Sequence, residues 1–263
     1  EGEVEGGISR MLWLYADTKD VPEKVGPLRS ARPSYVKFSK FFDAIFIHWG
    51  GSHSTKNYTG GYETIKKEKV NNIDGMSDGK LFSRDTSRKV SSEHRDILNG
   101  KKIKKAIEKK GYRTELKDSS FSPLHFNSTV APAGADGATS IGVKFSDRTD
   151  TRKFTYNAED GKYSTNDWEK KVKFQNLIIL KAESTYITVP YKGSTTTYLN
   201  YKWNSGSGKY ISNGTATDIT WEVADGKLVL KDAVGNTLSV NKGKSYIGFV
   251  SSNHNGKITC SAE

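Results

Sequence analysis

The chain has 263 residues, 34% hydrophobic and 27% charged, a composition that excludes an intrinsically disordered protein and gives length for two compact domains or one large one. The net charge is +11, with 24 Lys/Arg against 17 Asp/Glu in residues 1–121 and 17 against 13 in residues 122–263. An excess spread over both halves looks less like a dedicated nucleic-acid groove than like general attraction to an anionic surface, with wall polymers, membranes and nucleic acids all open.

The single cysteine, Cys260, excludes an intramolecular disulfide, and no cysteine–histidine spacing builds a zinc site. No apolar run is long enough to span a membrane, and no cofactor or metal is implied.

In chain order, residues 8–15 (ISRMLWLY) are rich in bulky strand formers and predict a buried strand. Residues 17–27 are a polar loop. Ser30 is a candidate helix N-cap, and Pro33 stands where a first-turn proline is tolerated. Tyr35, Val36, Phe38, Phe41 and Phe42 recur at helical spacing around Lys37 and Lys40, which predicts a helix with an aromatic inner face. Residues 43–49 predict a short buried strand closed by Gly50-Gly51. Strand, helix and strand in this order predict a parallel pair with a helical crossover, whose ligands gather beyond the carboxyl ends of the strands. That places residues 15–17 and 48–52 on one rim, joined by the Arg29 and Arg32 loop if the helix N-terminus caps it.

Residues 55–70 predict a short irregular helix, followed by a turn-rich stretch and a basic segment from residue 84 to 89. Residues 92–110 predict a helix with Ile97, Leu98, Ile103 and Ile107 inward, open to a break at Gly100 and stopped by Gly111. Beyond Phe121 the texture changes to a small-residue linker over 128–140 and then to strands and tight turns. Asp160-Gly161 and Asp225-Gly226 mark hairpins, residues 172–182 a long apolar strand, and a Gly-Ser turn parts residues 198–203 from 209–211. Only a turn at 166–170 interrupts the strands. The fold class is therefore α+β: an N-terminal α/β module with a mixed sheet over residues 1–121, then a mostly antiparallel β module over residues 122–263.

Three stretches, EGGISRMLWLY, GPLRSARPSYVKFSKFFDAIFIHWGG and ITWEVADGKLVLKDAVGNTLSVNKGKSYIGFV, resemble the YerB-like family of bacterial lipoproteins, a two-module domain of unknown function. The resemblance covers nearly the whole chain. Its specific part is the motif around Arg29 and Arg32, supported by Trp221, Asp232, Gly235 and Gly243-Lys244. It implies an extracytoplasmic protein, tethered through a lipid on a cysteine upstream of residue 1, with the chain starting inside the N-terminal module. It implies no activity. One departure is that the family pattern has Pro-His-Asn after the basic segment, where this chain has Ser91-Ser92-Glu93-His94.

The candidate site residues are Arg29, Ser30, Arg32, His48, Glu5 and Arg10. Two arginines at a helix start suit a phosphate or carboxylate, because the helix dipole and bidentate guanidinium bonds both favour an anion. The structural alternative pairs them with Glu5 or Asp17 to hold the loop. His48 and His53 flank the double glycine and could serve as acid, base or ligand, though a satisfied strand-end histidine is the plainer reading. Glu5 with Asp17, and Arg10 as partner, could form the carboxylate pair of a glycosidase. Ser30 lacks the sequence context of a nucleophile. The lysines of residues 101–110 read as a solvated helix face, and the aromatics Tyr198, Tyr201, Trp203, Tyr210 and Trp221 as core rather than a sugar-stacking surface. The expected function is binding of an anionic or carbohydrate wall ligand outside the cell. The alternatives are a hydrolase or transferase acting on a wall polymer, and a protein-interaction module. The membrane is reached only through the upstream lipid, and the oligomeric state is open.

Overall fold

The computed structural model describes residues 1–118, 122–168, 171–191 and 193–262. They form an α+β fold that divides into two compact units, one of Leu12–Phe121, the other of Glu1–Met11 with Ser122–Glu263. The residue-121 boundary and the end of the 166–170 turn lie outside the described residues.

In the unit of Leu12–Phe121, Pro33 opens helix α1 (Pro33–Lys40), whose Tyr35, Val36 and Phe38 are buried as the spacing predicts. Phe46–His48 follows and pairs in parallel with Asn72–Asp74, joined through helix α2 (Gly61–Glu68). The strand–helix–strand unit thus runs over residues 46–74 rather than 8–49. The predicted strand over 8–15 reduces to Ser9–Arg10, because Gly6 and Gly7 at φ 62° and 75° fold the chain back to pair antiparallel with Gly2–Glu3. Ile8, Met11, Trp13 and Leu14 are left exposed.

The helix predicted from residue 92 begins at Ile103 as α3 (Ile103–Lys110), and Asp96–Asn99 is instead the central strand between Lys24–Val25 and Phe82–Arg84. The break is steric. A Cβ on Gly100 would lie 2.1 Å from the Pro22 carbonyl oxygen, so only glycine lets the chain turn there. Ile103 and Ile107 join Ile73, Leu81, Phe82 and Leu98 in the core, and the lysines of α3 face outward.

The other unit holds a mixed sheet ordered Lys227–Lys231, Thr215–Ala224, Ser205–Ser212, Asn176–Ala182, Ser245–Ser251, Gly2–Glu3 and Ser9–Arg10. Asn176–Ala182 is the continuous apolar strand expected and runs parallel to Ser245–Ser251. A five-stranded antiparallel sheet packs on it through Ile141, Val143, Phe145, Phe154, Leu177 and Ile179. Asp225-Gly226 makes its hairpin at φ 51° and 75°. The stretch read as a linker, 128–140, is pinned to this unit: the Ala131 amide donates to Asn241 Oδ1 at 2.9 Å and that of Ala133 to Thr215 Oγ1 at 2.8 Å.

The expected Gly-Ser turn is also absent, since Ser205–Ser212 is one unbroken strand. Its glycines serve close approach, because a Cβ on Gly206 would lie 2.2 Å from the Lys181 carbonyl oxygen and 2.8 Å from the Trp221 indole nitrogen. Gly206→Ala is expected to cost about 1–3 kcal/mol in urea unfolding, as overpacking does. A variant of wild-type stability would show that this packing is loose.

Residues 1–11 join this unit through side chains as well as strands. The Arg152 guanidinium donates to both Glu1 carboxylate oxygens, at 2.6 and 3.2 Å, and Tyr246 and Ser9 donate to the same carboxylate.

Candidate functional site

The loop after Phe46–His48 is a frame closed on itself. Gly50 adopts φ 68°, and its amide donates to Asp74 Oδ1 at 2.7 Å. The Trp49 amide donates to the Arg29 carbonyl at 3.2 Å and that of Ser52 to the Ala31 carbonyl at 3.2 Å, while the Tyr62 ring packs on Gly51, where a Cβ would lie 3.2 Å from it. Tyr62 in turn donates to Asp74 Oδ2 at 3.2 Å, and Asp74 Oδ1 also accepts the Met76 amide at 3.0 Å. Burial and the Asp74 charge together push the Tyr62 hydroxyl above the usual phenol range. The amides of Trp49, Gly50 and Ser52 are therefore spent inside the protein, which leaves the double glycine without the run of free amides that an anion-binding nest needs.

His48 belongs to the same frame. It is 1% exposed, with Nδ1 2.7 Å from the Gly50 carbonyl, Nε2 3.2 Å from Asn72 Oδ1, and its ring stacked on Phe46. Both ring nitrogens face protein groups, which fits a strand-end histidine that fixes the loop.

The Arg29 and Arg32 loop docks on this frame through a parallel bridge between Ala31 and Gly51. Arg32 is the N-cap of α1 in place of Ser30. Its guanidinium folds back onto the carbonyls of Ala31 and Ser30, at 3.1 and 3.4 Å. The first turn of α1 is buried. Arg29 points the other way, donating to the Glu93 carbonyl at 2.8 Å with the Glu93 carboxylate 4.0 Å off, and its side chain stays 27% exposed. Ser30 is half-buried, its Oγ 3.7 Å from where a Gly50 Cβ would stand.

The structure thus brings Arg29, Ser30, Arg32 and His48 together. Glu5 and Arg10 lie in the other compact unit, where they pair with each other. Arg29 is held by Glu93 rather than by Glu5 or Asp17. Asp17 caps its own turn by accepting the Lys19 amide at 3.0 Å. Among the described residues, no group of three metal-ligating side chains stands together. Tyr201, Tyr210 and Trp221 are buried in the core.

Sequence reasoning missed Asp74 and Tyr62, which hold the frame. Asn-Ile-Asp-Gly closing a short strand was the available signal. It also missed Arg88 and Arg95. These donate to the carbonyls of His94 at 3.1 Å and Val90 at 2.7 Å, beside the Glu93 carbonyl that holds Arg29. Sequence shows such residues as a basic segment, without the carbonyl acceptors.

Comparison with known proteins comes from three directions. Residues 1–113 match the N-terminal domain, and residues 141–247 the C-terminal domain, of a family described as protein of unknown function (DUF3048). The chain is 30% identical to YerB of Bacillus subtilis (strain 168), a candidate lipoprotein by name, over 262 residues that cover 95% of this chain and 73% of that protein. It also superposes on a crystal structure of YerB from Bacillus subtilis with a TM-score of 0.68 and 25% identity, over 90% of this chain and 78% of that one. The chain belongs to the YerB-like family, with its two DUF3048 domains.

Proposed function

We propose that this protein is an extracytoplasmic, lipid-anchored envelope protein that binds an anionic wall polymer. The lipoprotein name of the Bacillus subtilis relative supports the location, and the net charge of +11 supports the sign of the ligand. The observation that carries the reading is Arg29. Its guanidinium is fixed on a backbone carbonyl, its nearest carboxylate is 4.0 Å away, and it remains part-exposed. A carbonyl orients a cation without neutralising it, so charge and donors are left for a ligand. Binding is favoured over catalysis because both ring nitrogens of His48 are engaged by protein groups, so His48 is not poised as a general base.

The test is co-sedimentation of the full chain with purified bacterial walls, intact or stripped of their anionic polymer. The expected results are binding to intact walls that weakens with added salt, loss of binding to stripped walls, and an affinity for intact walls about tenfold lower in Arg29→Gln, the worth of one charge-assisted hydrogen bond. Equal binding to both wall preparations would sink the reading.

A further inference from the structure

The hairpin between Phe82–Arg84 and Asp96–Asn99 is closed by residues 85–95, and the Asp85 amide donating to the Arg95 carbonyl at 2.8 Å extends its pairing. Within that loop, three carbonyls of the short segment 90–94 each hold a guanidinium. Val90 holds that of Arg95, His94 that of Arg88, and Glu93 that of Arg29, which arrives from 64 residues away. All three arginines are half-buried.

Among the described residues, Glu93 is the one hairpin carboxylate within ion-pair distance of these arginines. Asp96 pairs with Arg84 at 3.1 Å, and Asp85 accepts from the amide and hydroxyl of Ser87, which with Lys24 and Arg88 nearby hold it below the usual carboxylate range. Glu93 stands 3.6 Å from His94 and 4.0 Å from Arg29. Among the described residues, Arg88 and Arg95 have no carboxylate within ion-pair distance.

We propose that Arg29, Arg88 and Arg95, converging on the carbonyls of residues 90–94, form a binding site for a phosphate group, in an ester or diester. This rests on the anionic-ligand reading above and names the ligand chemistry. Three like charges held on one loop repel one another, and half-burial strengthens that repulsion, so an anion that bridges them relieves it. The carbonyl bonds fix each guanidinium in advance, which lowers the entropy lost on binding. A lone carboxylate brings one charge and two oxygens, which a single guanidinium satisfies. Three forks suit the larger set of oxygens on a phosphate. The phosphate could come from a wall polymer or from an anionic lipid headgroup.

The test is titration of the full chain with glycerol phosphate, followed at the arginine Nε–H resonances, with wild type, Arg88→Gln, Arg95→Gln and the pair. Lys104→Gln, on the exposed face of α3, controls for loss of charge alone. The expected result is a loss of about tenfold in either single variant and about a hundredfold in the pair, with the control close to wild type. Arg95→Lys, which keeps the charge and loses the fork, is expected to fall between. Variants that bind like wild type overturn the site, as does a loss equal to that of Lys104→Gln. If these substitutions only lower the melting temperature and leave the affinity intact, the arginines merely tie the loop and the site is wrong. Phosphatidylcholine vesicles with and without phosphatidylglycerol separate the sources. Arginine-dependent binding to the charged vesicles assigns the lipid headgroup, and binding to glycerol phosphate without it assigns the polymer. Wild type that binds intact walls but not glycerol phosphate overturns this site and leaves the wall reading standing, whereas wild type that binds neither overturns both.

Discussion

Arg152→Met is expected to lower the stability of the unit built on residues 1–11 and 122–263 by about 3–5 kcal/mol near neutral pH, the loss seen when one partner of a buried pair is removed. Its partner, the Glu1 carboxylate, has a side chain only 1% exposed, so without the guanidinium a buried charge loses its two-pronged partner and keeps the Tyr246 and Ser9 hydroxyls. Asp167, 3.1 Å from Arg152, loses its partner at the same time. The pH dependence follows from the carboxyl. Burial pushes Glu1 up, and the Arg152 hydrogen bonds, the adjacent amino-terminal charge, the Arg152 charge and the Ser9 hydrogen bond together more than reverse it, holding the group below its ordinary value of 4.5. A carboxyl depressed on folding contributes stability above its unfolded value and loses it as pH falls through the folded one. The gap between wild type and Arg152→Met is therefore expected to narrow as pH falls, first above pH 4.5, where the buried carboxyl of the variant takes up its proton, and then below pH 4.5, where the wild-type carboxyl does. The double variant Glu1→Gln/Arg152→Met is expected to recover much of the loss, since no unpaired charge remains at the buried Glu1 position and the stranded Asp167, its side chain 36% exposed, is left to water. Urea midpoints at neutral and acid pH read all three. A gap under about 1 kcal/mol, as for an exposed pair, or one that does not change with pH, would show that the ion pair does not anchor residues 1–11.

What the sequence disclosed and what it hid follow from the range of the interactions. Helix α1 was legible because Pro33 and the aromatic spacing are local, and so were Asn176–Ala182 and the Asp225-Gly226 hairpin. Residues 8–15 misled because bulk is a strand signal only where a partner strand and a covering layer exist. Here Gly6-Gly7 turned the chain after two paired residues and left Trp13 and Leu14 exposed. Gly206 was read as a turn residue, yet its missing Cβ makes room for a neighbouring carbonyl and an indole, a requirement set by residues 181 and 221. The candidate site shows the same split. Arg29, Ser30, Arg32 and His48 lie together partly because they are close in sequence. What each one does was fixed by residues far along the chain: Glu93 for Arg29, Asn72 for His48, and Asp74 for the glycine loop between them. Glu5 and Arg10 were grouped with them by charge alone, and the first eleven residues belong to the other unit.

Asp74→Ala is the second large effect, with an expected loss of about 3 kcal/mol, because hydrogen bonds to a charged group contribute about 1.5–3 kcal/mol each and are not fully additive. Three donors lose their acceptor. The Met76 side chain is exposed, and its amide can turn to water, so its bond contributes least. Gly50 is buried, so its amide is left unsatisfied at the full desolvation cost. The Tyr62 hydroxyl loses its acceptor. Asp74→Asn keeps an oxygen for the Gly50 and Met76 amides and is expected to lose about half as much, whereas Tyr62→Phe breaks the bond to the carboxylate and is expected to cost about 1–2 kcal/mol. The consequence reaches the arginine loop. The Ala31 amide donates to the Gly50 carbonyl and the Ser52 amide to the Ala31 carbonyl, so a loosened Gly50 frees the segment that carries Arg29. In a variant that still folds, amide exchange at Ala31 and Ser52 is expected to accelerate more than at Ile103 in α3, and wall binding to weaken although Asp74 meets no ligand. Uniform acceleration at all three amides would mean that Asp74 supports the whole unit rather than the loop. Unchanged exchange at Ala31 and Ser52 would mean that the parallel bridge between Ala31 and Gly51 holds the arginines in place without Asp74.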